Sequence, residues 1–129
     1  MTAGNAADRS RQLAITAARA AAEKQATDIV VLDVRELIVI TDYFVIATAG
    51  SQRQVRTVVD EVERALRELG DKPLRREGEP EGGWWLIDYF EVVVHIFAEE
   101  ERGYYQLERL WRDAPIVEWD EGSGAASSG

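Results

Sequence analysis

The feature that most constrains the fold is an amphipathic segment, residues 51–70, that lies between short apolar runs. Ser51 followed by Gln54 has the spacing of a helix capping box, and Gly70 is a typical helix end. Apolar residues recur every three or four positions and predict one buried helix face: Val55, Val58, Val59, Val62, Leu66 and Leu69. The polar residues of the opposite face are expected to be solvated: Arg53, Asp60, Glu61, Glu63, Arg64 and Arg67.

The apolar runs around this helix predict strands. Residues 29–34 and 43–49 precede it, and the short run 37–40 between them makes two or three strands in a hairpin-like arrangement. Residues 84–89 and 92–97 follow it and predict a second hairpin. Alternation along that hairpin places Trp84, Leu86 and Asp88 on one face of the first arm, and Val93, His95 and Phe97 together on the second arm. Leu74, flanked by charges, predicts a short edge strand.

The two ends of the chain have compositions of their own. Residues 7–24 are rich in Ala, Arg and Glu and predict a first helix with a thin alanine stripe. Residues 102–111 predict a short last helix that ends before Pro115. The order of helix, strands, helix, strands and helix indicates an α/β fold, a single domain with a mixed sheet.

The expected domain boundaries follow from these compositions. Residues 1–6 are small and polar and are expected to be a disordered N-terminus, and residues 7–115 form the domain. Residues 116–129 are acidic and then rich in Gly and Ser, as in a flexible tail.

The charge balance bears on the partner. The chain has 15 basic and 24 acidic residues, a formal net charge of −9. Such a chain is repelled by phosphate backbones, so direct nucleic-acid binding is not expected and the expected partner is a basic protein. The acidity is equally typical of a surface that only maintains solubility.

Cysteine and hydropathy exclude several classes. The chain has no cysteine, so it has no disulfide framework and no thiolate metal site or nucleophile. No apolar run is long enough for a membrane span and no secretory signal is recognisable, so a cytoplasmic location is expected by default.

Three features of the sequence are candidates for catalysis or for binding a ligand. Gly50-Ser51 joins a strand to a helix N-terminus, a geometry that receives anions and occurs in nucleotidyltransferases, but no strand carrying paired carboxylates follows it. Asp88 stands alone, and His95 is the one histidine in the chain and lacks the partners that a zinc site or a catalytic triad needs. We therefore expect no catalytic residue, no metal and no cofactor. A nucleotide-binding or nucleotidyltransferase-type enzyme that uses the Gly50-Ser51 turn is the alternative.

Aromatic residues are concentrated in the second half of the chain. At most one face of the first hairpin arm can be core in a two-layer domain, which would leave some aromatic side chains for an interface. The alternative is that the helices cover both faces. The acidic run 99–101 beside them would suit a basic protein partner, although such runs are more often solvated loops.

Several of these segments together resemble the ribosomal silencing factor family, RsfS or Iojap. In the first half they are Asp28-Ile29-Val30-Val31-Leu32-Asp33-Val34, Thr41-Asp42-Tyr43-Phe44-Val45-Ile46 and Gly50-Ser51-x-Arg53-Gln54-Val55. In the second half they are Arg76-Glu77-Gly78, Trp84-x-Leu86-Ile87-Asp88-Tyr89, Val92-Val93-Val94-His95-Ile96-Phe97 and Arg102-x-Tyr104-Tyr105-x-Leu107-Glu108-x-Leu110-Trp111. The resemblance covers residues 7–115.

The resemblance implies a nucleotidyltransferase-like α/β fold without catalytic carboxylates. It also implies a translation repressor that binds the large ribosomal subunit through its fourteenth ribosomal protein. The bound factor would block joining of the small subunit, especially under nutrient limitation. Family members are often homodimers, and the alanine-faced first helix is a candidate surface for a dimer.

The expected partner-binding residues are aromatic or charged and lie in the matching C-terminal motifs: Trp84, Asp88, His95, Glu99, Glu100, Arg102, Tyr105 and Trp111. One departure from the family lies among them. The family commonly has glycine after Asp-Tyr, where this chain has Phe90. Because phenylalanine disfavours positive φ, we expect a different hairpin turn here, with an exposed Phe90 that could add to a binding surface.

Overall fold

The computed structural model describes residues 2–37, 39–79, 83–99 and 113–120. Within them the chain forms two helices and six strands, which confirms the α/β class. Their bounds are α1 Thr2–Glu23, β1 Thr27–Asp33, β2 Tyr43–Ala49, α2 Gln52–Glu68, β3 Arg75–Glu79, β4 Trp84–Asp88, β5 Val92–Ala98 and β6 Ile116–Val117. Neither of these helices is long and apolar enough to cross a membrane.

The six strands form one mixed sheet in the order β3-β4-β5-β2-β1-β6. β2 and β5 are parallel, and the other neighbouring strands are antiparallel. Both helices pack on one face, where Val45, Val94 and Ile96 share a buried cluster with the apolar residues of α1 and α2. A second, smaller cluster lies on the opposite face around Ile46 and Phe97. This opposite face, which the two helices do not cover, is called the outer face below.

The start of α2 confirms the predicted capping. Ser51 is the N-cap, and its side-chain oxygen accepts a hydrogen bond from the Gln54 backbone N–H at 3.1 Å. The Gln54 side chain accepts from the Gly50 N–H at 2.7 Å and donates to the Lys24 carbonyl at 2.9 Å. The capping residues therefore also fix α2 to the end of α1.

One residue of α2 was placed wrongly from the sequence. Glu63 was expected on the solvated face but is buried. Its carboxylate lies 3.3 Å from the Arg76 guanidinium on β3, so the pairing partner comes from a distant strand that the helical periodicity does not register. Tyr89 is buried nearby, and burial together with the charge of Glu63 raises the pKa of its hydroxyl.

The first helix is longer than predicted, because it begins at Thr2 and not near residue 7. Its alanine stripe is buried in the main core with Leu13, Ala14 and Ala17 against the sheet and α2. Small side chains allow this close approach. The stripe is therefore buried within the chain and is not available as a dimer surface.

Of the two or three strands expected before α2, the described residues form two, and Leu37, Val39 and Ile40 belong to neither. Leu37 N–H donates to the Val34 carbonyl in a turn, and the Arg35 guanidinium pairs with Asp33 at 2.6 Å. That pairing holds the pKa of the Asp33 carboxyl below its usual range. Val39 is 100% exposed and Ile40 74% exposed, so both present apolar side chains to solvent.

The expected boundary at residue 115 lies too early. Ile116–Val117 pairs with β1 as strand β6. Trp119 packs against the core, donates its indole N–H to the Ile29 carbonyl at 3.3 Å, and accepts from Arg19 at its own carbonyl at 3.0 Å. A two-residue strand is too short for period-two alternation to reveal it.

Gly78 provides a test of the edge of the sheet. It pairs with Trp85 and has φ +153°, and a Cβ there would collide with the Trp84 carbonyl oxygen and lie 2.8 Å from the Trp85 Cα. We expect Gly78→Ala to cost at least about 2 kcal/mol of unfolding free energy, measured by urea denaturation.

Gly70→Ala is the matched control, because Gly70 has φ +90° but a Cβ there meets no atom within 4 Å. It should cost only the backbone penalty of about 1 kcal/mol. Equal losses in the two variants would contradict the close approach of β3 to β4.

Candidate functional site

The β4–β5 hairpin distributes its side chains over the two faces as the alternation predicted. Ile87 and Tyr89 are buried on the helix side, and Trp85 packs against the same cluster. On the outer face Trp84 stacks on Phe97, with ring centroids 6.4 Å apart. The exposed aromatic residue of this hairpin is Phe90, whereas both tryptophans are half-buried.

A groove of about 390 Å³ lies on the outer face at one end of the hairpin. Phe44, Leu86, Val93 and His95 on β2, β4 and β5 form its floor. Five further described residues line it, from the loop before β2, from β3, from the end of β4 and from the hairpin turn: Ile40, Thr41, Arg75, Asp88 and Phe90. The groove, so defined, is the candidate functional site.

His95 lies on the groove floor between two aromatic rings. Its ring is edge-on to Phe44 at 5.2 Å and stacked on Phe97 at 6.2 Å. The side chain is only 8% exposed, and neither ring nitrogen has a hydrogen-bond partner among the described residues. Burial lowers the pKa of the imidazole to about 4, so His95 is neutral near pH 7 and presents one donor and one acceptor.

Asp88 lies at the side of the groove and is already engaged. One carboxylate oxygen accepts from the Phe90 N–H at 2.8 Å, and the other lies 3.4 Å from the Arg75 Nε. Arg75 also lies 3.2 Å from Glu77. These contacts give Asp88 a role in fixing the hairpin turn and in balancing the charge of Arg75.

The hairpin turn itself contradicts the expectation drawn from Phe90. The sequence predicted that phenylalanine would force a turn without positive φ, but Phe90 has φ +79°. The Glu91 N–H donates to the Tyr89 carbonyl at 3.0 Å, the pattern of a γ-turn centred on Phe90. Such a conformation costs roughly 1–3 kcal/mol at a residue other than glycine. The Asp88 contact and the pairing of Tyr89 N–H with the Val92 carbonyl hold it in place.

The eight predicted binding residues therefore divide into three groups. Asp88 and His95 line the groove, and Trp84 lies on the same outer face beyond Phe97. Glu99 is exposed just after the end of β5. The other four lie outside the described residues: Glu100, Arg102, Tyr105 and Trp111.

Sequence reasoning missed the residues that β2 and its preceding loop bring to the groove. Phe44 faces outward with Ile46, and this parity could have been inferred from the parallel pairing of β2 with β5 had that register been known. Ile40 and Thr41 lie in a loop, where no periodicity indicates which way a side chain points.

Two polar groups of the Gly50-Ser51 turn take part in the cap of α2. The Gly50 N–H is bonded to the Gln54 side chain, and the Ser51 hydroxyl oxygen accepts from the Gln54 N–H. Asp60 is exposed in the middle of α2, and the described part of the chain contains no group of three or more metal-ligating side chains. At this turn the Gly50 N–H and the Ser51 oxygen therefore serve the helix cap.

Comparisons with known proteins identify the family. A family model described as "Ribosomal silencing factor during starvation" matches residues 7–128. The chain belongs to the ribosomal silencing factor family. The match extends beyond residue 115, in agreement with the ordered strand β6. Family membership places the chain among regulatory proteins that repress translation through the ribosome.

Individual relatives agree with the assignment. Over 106 residues the chain is 41% identical to ribosomal silencing factor RsfS of Bacillus subtilis. The aligned region covers 82% of this chain and 90% of that protein. It is 37% identical to the chloroplastic protein Iojap of Zea mays, over 81% of this chain and 46% of that one. A crystal structure of a Chromobacterium violaceum protein superposes with a TM-score of 0.75 at 33% identity, covering 78% of this chain and 84% of that one.

The burial of His95 predicts how stability depends on pH. Between pH 6.5 and pH 4 the unfolded chain protonates this histidine while the folded chain does not, so stability is complete above pH 6.5 and is lost as the pH falls. We expect the wild type to lose about 2 kcal/mol more than His95→Phe between pH 7 and pH 5, measured by urea unfolding.

The single histidine also allows a direct reading by NMR. The imidazole signals should titrate near pH 4. A midpoint near 6.5 in the folded protein, or equal pH dependence in the two proteins, would show that the ring is solvated. Because the two proteins share every other titratable group, their difference isolates His95.

Proposed function

We propose that this protein represses translation by binding the large ribosomal subunit through its fourteenth ribosomal protein. The bound protein then blocks joining of the small subunit, especially when nutrients are limiting. The observation that carries this proposal is the match to the ribosomal silencing factor family over residues 7–128. The protein acts by occupying a surface, without a cofactor or metal, and its working location is the cytoplasm.

Charge supports a protein contact over a nucleic-acid contact. The formal net charge of −9 opposes approach to phosphate and favours a basic ribosomal protein. Opposite charges accelerate encounter and select the partner, while the energy of the bound state comes mainly from buried anchors.

The proposed contact surface is the outer face of the sheet. Of the predicted contact residues, Trp84, Asp88 and His95 lie on the hairpin and Glu99 follows β5. The other four stay sequence predictions, because they lie outside the described part of the chain: Glu100, Arg102, Tyr105 and Trp111. The two helices cover the other face, whereas on the outer face the groove is lined by the exposed residues Ile40 and Phe90.

A homodimer stays a prediction, carried by the resemblance alone. The alanine stripe of α1 is buried within the chain, so a dimer would use another surface.

Adjacent tryptophans on opposite faces provide a matched pair for testing the surface. Trp84 lies on the outer face and Trp85 packs against the helix-side core. In co-sedimentation with separated ribosomal subunits, the wild type should pellet with large subunits and not with small ones. Trp84→Ala should weaken this association by ~2 kcal/mol, as expected for an aromatic anchor, whereas folded Trp85→Ala should bind normally.

Thermal melts on both variants separate lost binding from lost folding, since truncating a core tryptophan costs ~3–5 kcal/mol of stability. Association of the wild type with both subunits, or with neither, would refute the proposed function. Normal binding by a folded Trp84→Ala protein would remove Trp84 from the contact surface.

The acidic run after β5 provides a second test. Reversing Glu99 and Glu100 to lysine should slow association severalfold and reduce its salt dependence, because charges at the edge of an interface act on encounter. Glu68→Lys on α2 is the control, since Glu68 is well exposed and pairs only with Arg64 among the contacts described. Surface-plasmon or stopped-flow association rates at two salt concentrations provide the measurement. Unchanged rates in the double variant would show that the run is a solvated loop.

A further inference from the structure

The groove contains two buried polar groups that lack partners. The Thr41 hydroxyl and both ring nitrogens of His95 have no hydrogen-bond partner among the described residues, and Thr41 is only 5% exposed. Both side chains line the same groove. Burying such groups unpaired is unfavourable, and natural proteins normally pair them. Their position in an open groove indicates that the missing partners come from a ligand.

The rest of the lining specifies the body of that ligand. Phe44, Leu86 and Val93 make an apolar floor beside His95. Ile40 and Phe90, 74% and 60% exposed, add apolar surface at the rim. The volume of about 390 Å³ falls in the range of sites that enclose a small molecule or a large side chain.

The charges of the groove argue against a charged occupant. Among the described residues of its lining, Asp88 and Arg75 are the two charged ones, and Asp88 Oδ2 lies 3.4 Å from Arg75 Nε. A cation entering the groove would meet Arg75, and an anion would meet Asp88. Because burying an unpaired charge is costly, an uncharged group with a polar end fits this lining best.

Phe90 supplies an independent observation. This exposed aromatic residue is held at φ +79° by the Asp88 contact, in a turn where glycine would be unstrained. Strain of this kind persists where the surrounding structure fixes it, and it points towards a functional role for the side chain.

We propose that the groove is the anchor site for the ribosomal protein partner, an inference that rests on the proposed function. It receives one uncharged side chain with an apolar body and a hydroxyl or amide at its end. The body packs on Phe44 and Phe90, and the polar end bonds to His95 and Thr41.

The first test uses Phe90→Gly, in which stability and binding should change in opposite directions. Removing the strain should raise the melting temperature, while loss of the aromatic ring should weaken large-subunit binding by roughly tenfold. Ile116→Thr is the control, because Ile116 is equally apolar and exposed but lies on β6 at the far edge of the sheet. It should leave binding unchanged.

The second test removes the polar groups without changing the shape of the groove much. Thr41→Val and His95→Phe abolish the unpaired atoms, so both proteins should be at least as stable as the wild type at pH 7. Each should bind large subunits roughly 5- to 20-fold more weakly, because the polar end of the anchor then lacks its partner.

A small-molecule probe tests the same groove in the absence of the ribosome. p-Cresol carries a hydroxyl on an apolar ring, and toluene is the same ring without it. Millimolar p-cresol should shift the NMR signals of His95 and compete with large-subunit binding more strongly than toluene does. Equal effects of the two probes would overturn the polar part of the proposal.

The outcomes distinguish failure of the proposed function from failure of the proposed anchor site. Failure of the wild type to bind large subunits refutes the proposed function itself. Wild-type binding that persists unchanged in Phe90→Gly, Thr41→Val and His95→Phe overturns the anchor site and leaves the proposed function standing. A change of oligomeric state in Phe90→Gly, seen by light scattering, would assign the groove to a second copy of the chain and likewise overturn the proposal.

Discussion

The parallel pairing of β2 with β5 is the constraint on which the rest of the structure depends. The register runs without a break from Tyr43 opposite Val92 to Ala49 opposite Ala98, and every residue of β2 is buried. A parallel pair requires a long crossover, and α2 with the β3–β4 strands provides it. The same pairing aligns the loop before β2 with the hairpin turn, where the Asp42 and Tyr43 N–H groups both donate to the Glu91 carbonyl. The groove forms at this junction because two distant chain segments are fixed there side by side.

Local periodicity accounts for what could be predicted. The buried stripe of α2, its Ser51 cap and the alternation of the β4–β5 hairpin are each encoded within about 20 residues, and all three are confirmed. Glu63 and β6 escaped prediction because their partners, Arg76 and β1, are distant in the sequence. The number of strands before α2 stayed open at two or three, because apolar character alone does not distinguish a strand from an exposed loop.

Only part of the candidate functional site could be predicted from the sequence, for the same reason. Both His95 and Asp88 lie on one hairpin, and alternation correctly grouped each with its same-face neighbours along the strand. Thr41 and Phe44 join them only through the β2–β5 register, which is a tertiary property. Phe90 shows the converse limit. The intrinsic preference of phenylalanine against positive φ is real, but contacts from Asp88 and the flanking strands outweigh it.

In the proposed complex, different residues of the outer face would meet two requirements of binding, attraction over a distance and selective contact. Acidic residues such as Glu99 lie in solvent, where charge attracts a basic partner over a distance but is screened at contact. The groove is closely charge-balanced and mostly apolar, and its neutral His95 and Thr41 respond to the shape and the hydrogen-bonding end of an occupant. A partner with the right charge and the wrong anchor would approach quickly and leave quickly, because dissociation depends on the buried contacts. In the proposed complex, charge alone would discriminate poorly among the many basic proteins of a ribosome, and the groove over β2 and β5 would provide the selectivity that charge lacks.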